Sequence, residues 1–212
     1  MRKLFGWTFA LSILALGAAV ASAEDKLVPE EGAVEIMLLR QASVRDDLKL
    51  SHDEAQKIHN FTREQWEKAK EASKLPAAER DKKFAAMHDE NHRFIDKTIT
   101  KEQRKRLQEI ELQVAGLMCL TRPEIAKKLK LTDEQMKRVH EMQKEGRQEM
   151  EDFIYTSKPE VRKEKLAELR KTSRDRMLEL LTDEQEITWA QLQGKPFKGE
   201  FQFGTKEDTA VK

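Results

Sequence analysis

Four short segments with the chemistry of a helix start constrain this chain more than anything else in it. Leu131-Thr132-Asp133-Glu134-Gln135 is repeated letter for letter as Leu181-Thr182-Asp183-Glu184-Gln185. Ile99-Thr100-Lys101-Glu102-Gln103 is a close copy, and Leu50-Ser51-His52-Asp53-Glu54 a looser one. In each, Ser or Thr stands three residues ahead of Gln or Glu. That spacing is a capping box: the hydroxyl accepts the N3 amide, and the N3 side chain reaches back to the N-cap amide. Acids at the first helical positions, such as Asp133 and Glu134, suit the positive end of the helix dipole. Four boxes predict four capped helices.

The rest of the chain agrees with an all-α fold. Apolar and small residues recur every three or four positions: Ala55, Ile58, Thr62, Gln65, Trp66, Ala69 and Ala72 form such a stripe after Ser51. Pro76 and Pro159 mark turns. The spacing from Ser51 to Thr132 is 81 residues and from Thr100 to Thr182 is 82, which predicts an internal repeat. Each copy holds a lead-in turn ending in Leu-Lys-Leu, two long helices forming a hairpin, and a third helix with its own box. The predicted organisation is a signal peptide at 1–23, a leader at 24–42, repeats at 43–120 and 121–195, and an extended or disordered tail at 196–212. The phenylalanines of the tail are placed to lie on the helices.

Arg2 and Lys3, the apolar run Leu4–Val20 and Ala21-Ser22-Ala23 predict export, with cleavage before Glu24 and no integral membrane anchor. Without those residues 38 Lys and Arg face 39 Asp and Glu, so the formal charge moves from +1 to −1. A near-neutral chain with both signs interleaved is not built to bind nucleic acid through its bulk charge. The cluster Arg104-Lys105-Arg106 is read as a solvated face. Cys119 is the single cysteine, which excludes an internal disulfide. Its apolar surroundings predict a small buried side chain, the alternative being an intermolecular disulfide or a reactive thiol.

An exported, charge-rich, helical chain punctuated by Leu-Thr-x-x-Gln resembles the LTxxQ-motif family of periplasmic proteins, which includes Spy and CpxP. The residues that carry the resemblance are Leu131, Thr132 and Gln135, and Leu181, Thr182 and Gln185. Thr100 and Gln103 follow with Ile99 in place of Leu; Leu50 and Ser51 follow with Glu54 in place of Gln. Members carry two motifs, and this chain has four. The resemblance implies a periplasmic, ATP-independent chaperone or an envelope-stress adaptor, whose partners are unfolded clients or a sensor protein. It also implies a homodimer, or here an intramolecular pseudo-dimer of the two copies.

One constellation suggests different chemistry. His88 and His92 share a helix face at i and i+4, and an antiparallel hairpin turning near residue 75 brings His59 level with residue 90. Three converging imidazoles, with Asp89 or Glu90, would bind zinc, nickel or copper. The plainer alternative is solvated histidines bordering a helical seam. Nothing matches a phosphate loop, a nucleophile elbow or a Cys/His pair, so no enzymatic activity is expected. The methionines at helical spacing are read as core, with a Met-rich binding face as the other possibility.

Overall fold

A computed structural model describes residues 31–156 and 162–201, without the side chains of 31–33, 147, 150–156, 162–167 and 170. The expected signal peptide, the leader as far as residue 30, the turn at Pro159 and the tail beyond residue 201 lie outside the described residues. All regular structure within them is helical. The helices are α1 (Glu31–Leu39), α2 (Ala42–Asp47), α3 (His52–Ala72), α4 (Ala77–Thr98), α5 (Lys101–Ala115), α6 (Pro123–Leu129), α7 (Asp133–Thr156), α8 (Arg162–Leu180) and α9 (Asp183–Gln193), with a 3-10 turn at Gly116–Cys119. None is long and apolar enough to cross a membrane.

Two compact units divide the described residues. The first comprises residues 31–111 and 194–201, the second residues 112–193. In the first, α3 and α4 pack antiparallel across the turn before Pro76: the Phe61 and Phe94 rings stack 3.8 Å apart, and Lys68 reaches Glu90. The apolar run near residue 35, grouped by sequence with the leader, is α1, which packs on α2, α3 and α4. It buries Val34, Ile36, Leu38 and Leu39 beside Ile58, Ile95, Leu107 and Ile110 of the same unit. Trp66 departs from the stripe expected of it and is 38% exposed, because only Ile58, Thr62, Gln65 and Ala72 of that set turn fully inward with Ala55. Phe197 is buried, and the Ser43 hydroxyl donates to the Glu200 carbonyl at 2.6 Å, tying the start of the tail to α2.

In the second unit, α6 packs on α9, α7 on α8, and the 3-10 turn on both α7 and α8. Leu117, Leu120, Ile125, Leu129, Val139, Met142, Met177, Leu181 and Trp189 make its core, with Cys119 fully buried among them. The Cys119 thiol donates to the Gly116 carbonyl at 3.0 Å. Gln143 is also fully buried; its amide donates to the Leu117 carbonyl at 3.0 Å and the Thr121 hydroxyl at 3.2 Å, so its polar cost is covered.

Backbone handedness explains the two Leu-Lys-Leu lead-ins. Lys49 and Lys130 hold φ of 54° and 53°, a left-handed conformation that lets the chain leave α2 and α6 and enter the next box. The Leu50 amide reaches back to the Arg45 carbonyl, and the Leu131 amide to the Ala126 carbonyl. Gly116 and Gly194 leave α5 and α9 with φ of 50° and 61°, where glycine carries no Cβ penalty. Lysine does carry it. Replacing Lys130 by Gly should therefore raise stability to urea by about 0.5–1 kcal/mol, whereas Lys128→Gly inside α6 should lower it by about as much.

Candidate functional site

The motif residues make more contacts than a capping box requires. In the second unit, the Thr132 hydroxyl accepts the Gln135 amide at 3.1 Å, and Gln135 Oε1 accepts the Thr132 amide at 3.0 Å. Thr182 and Gln185 make the same pair at 3.3 and 3.0 Å. Each glutamine then spends its amide nitrogen on the other box. Gln135 Nε2 donates to Gln185 Oε1 at 2.7 Å and to the Leu180 carbonyl at 2.9 Å. Gln185 Nε2 donates to Gln135 Oε1 at 3.0 Å and to the Lys130 carbonyl at 3.4 Å. Two helix starts, 50 residues apart in sequence, are clasped through one pair of side-chain amides. Leu131 and Leu181 anchor the boxes in the core of the unit.

The first unit has half of this clasp. Thr100 and Gln103 exchange hydrogen bonds at 3.2 and 2.8 Å, and Gln103 Nε2 donates to the Leu48 carbonyl at 3.3 Å. At the other box Ser51 accepts the Glu54 amide, and Glu54 Oε2 accepts the Ser51 amide at 2.7 Å. A carboxylate at that place has no hydrogen to give in return. Leu50 stays partly exposed and Ile99 is buried.

His88 and His92 meet, with their Nε2 atoms 3.2 Å apart. Burial first, then the positive charges of Arg63, Arg45 and Arg40, hold the His59 imidazole below its ordinary value. Glu90 is taken by Lys68, which donates to both its oxygens at 2.9 Å. That hydrogen bond keeps the Glu90 carboxyl below the usual carboxylate range. Among the described residues no group of three or more His, Cys, Asp or Glu is arranged to hold a metal ion.

His92 belongs to a buried polar chain that the sequence did not indicate. The wholly buried Glu35 of α1 forms an ion pair with Arg104, Nη1 to carboxylate oxygen 2.6 Å, and Arg104 Nη2 lies 3.0 Å from His92 Nδ1. A guanidinium can only donate, so His92 Nδ1 is the acceptor and its proton sits on Nε2, directed at His88. Arg106 likewise contradicts the solvated reading of its cluster. It pairs with Asp47 at 2.7 Å and Glu109 at 3.0 Å, and donates to the Lys195 carbonyl at 2.7 Å. Its position explains why the residue after α9 is glycine: a Cβ on Gly194 would run into the Glu109 carboxylate.

No protein-family model, no curated protein and no solved structure matches this chain. The site is therefore read from its own contacts. Restoring the missing donor gives a direct check: Glu54→Gln keeps the acceptor for the Ser51 amide and adds an N–H that can face Gln103. It should stabilise the first unit by about 0.5–1.5 kcal/mol, seen as slower amide exchange at Ser51 and Glu54 positions, while Glu54→Ala should speed that exchange.

Proposed function

We propose that this chain is an exported helical binding protein of the Spy/CpxP kind, acting on unfolded clients or an envelope partner without nucleotide or covalent chemistry. The observation that carries the reading is the role of each motif position. Leu packs, Thr caps, and Gln caps while clasping a second helix start, so every letter of Leu-Thr-x-x-Gln has a structural reason to be kept as a unit. Each is scaffold. Function on this reading belongs to the helix surfaces that the clasps hold in place.

We further propose that the chain is a fused pair of one helical plan. In support, Lys49 and Lys130 share the left-handed conformation, and Gln103 and Gln185 each donate to a carbonyl just ahead of the partner box. Chaperone action needs an apolar surface with surrounding charge for rapid, reversible encounter. The exposed charged residues of α3, and those described on α7 and α8, suit that role, and a periplasmic location follows from the export reading.

One observation favours metal binding as a second reading. The 3.2 Å between His88 and His92 Nε2 is close to the separation of about 3.3 Å that two zinc–nitrogen bonds of about 2.0–2.1 Å span at a tetrahedral angle. A metal there must displace the Nε2 proton that the Arg104 contact places on His92. Light scattering of an aggregating, chemically denatured client decides between the readings. Suppression at near-stoichiometric ratios, without ATP and unchanged by zinc, nickel or copper, is the expected result. Suppression that requires a metal and is lost in His88→Ala transfers the function to the second reading; none under either condition contradicts both.

A further inference from the structure

Most charges on α3 and its surroundings are matched. Glu64 and Glu90 share Lys68, Glu67 pairs with Lys70, and Glu71 with Lys74. One sector differs. His59, Arg63 and Trp66 lie at i, i+4 and i+7, so they share a face of α3. Arg40, from the corner between α1 and α2, sets its guanidinium carbon 5.3 Å from the Trp66 ring centroid. Among the described residues neither Arg40 nor Arg63 has a carboxylate partner, and Trp66 is one of two large apolar side chains left exposed. Arg45 adds positive field from below, its guanidinium held by the Leu39 and Arg40 carbonyls and its charge facing Asp46. Burial first, and then the charges of Arg63, Arg45 and Arg40, lower the proton affinity of His59.

We propose that Arg40, His59, Arg63 and Trp66 form a docking patch for an extended acidic polypeptide segment that also carries an apolar side chain. Two guanidiniums without a carboxylate partner among the described residues suit two carboxylates, which they can hold through paired N–H donors. The open Trp66 face supplies an apolar platform, already flanked by a cation on one side. A neutral His59 beside them can accept or donate a hydrogen bond to the peptide backbone. The nearest acids along α3, Glu64 and Glu67, are engaged by Lys68 and Lys70, so they do not fill the patch. The charge is local: the chain as a whole is close to neutral, so the preference for an acidic segment belongs to this sector. This inference is independent of the chaperone reading, since a chain that suppresses no aggregation can still bind such a segment.

Fluorescence anisotropy with a labelled peptide of glycine, glutamate and leucine tests it, against the same peptide with glutamine in place of glutamate. The full chain should bind the acidic peptide at least about tenfold more tightly than its amide analogue. Arg63→Glu should remove that preference, and Trp66→Ala should weaken the acidic peptide by about tenfold, with the thermal midpoint of each variant checked by circular dichroism. Arg63 is exposed, so its replacement leaves the core intact. Equal affinity for the two peptides, or unchanged binding by Arg63→Glu, overturns the proposal. So does displacement of the peptide by vesicles containing phosphatidylglycerol at lower concentration than by excess unlabelled peptide, which would assign the patch to a membrane surface.

Discussion

A helix start leaves four backbone amides without partners inside the helix, and in the second unit that need is met by side chains that join two starts. Gln135 and Gln185 each accept the amide of their own N-cap residue and donate to the opposite box. Both polar ends of both amides are used, which matters because Gln185 is buried and an unmet hydrogen-bonding group there would cost about 1–3 kcal/mol. The clasp fixes where α7 and α9 begin relative to each other. Leu131, Leu181 and Trp189 then pack where those starts put them.

The first unit solves a related problem with charge. To its core α1 contributes Val34, Leu38 and Leu39 together with the fully buried Glu35. A buried carboxylate is tolerable only if it is paired, and Arg104 supplies the pair and continues to His92. Arg106 does the same for Asp47 while holding the chain at Lys195. Arginine suits both places because its planar fork serves several acceptors at once. On the outside, Lys68 and Glu90 bridge α3 and α4 while half-exposed, so solvent screening keeps their contribution small.

Local chemistry made the helices legible in the sequence. The boxes at Ser51, Thr100, Thr132 and Thr182 stand immediately before α3, α5, α7 and α9, and the stripes at Ile58 and Val139 mark inward faces. Long-range pairing was less legible, because spacing along one helix does not say which side chain a neighbour offers. The i, i+4 spacing placed His88 beside His92 but gave no sign that Arg104 reaches the same ring. Arg104 and Arg106 looked like a solvated run, yet their partners, Glu35 and Asp47, come from helices roughly sixty residues away or more. One signal was available and passed over. A capping box needs only an acceptor at N3, which Glu provides as well as Gln; Gln in three of four boxes marks a place where a donor is also needed. The lysines at φ near 53° had no such signal, since lysine rarely adopts that conformation.

The central claim, that the two glutamine amides act as one clasp, is tested most directly by a double-mutant cycle. Gln135→Ala, Gln185→Ala and their combination would be unfolded in urea in the chain from Glu24 onward with Trp66 replaced by Phe, so that Trp189 alone reports on the second unit. The account predicts that the double variant loses less than the sum of the singles, with a coupling of about 1 kcal/mol or more. Additive losses, with coupling indistinguishable from zero, would mean that the two boxes cap their helices separately and that the clasp does not hold them together.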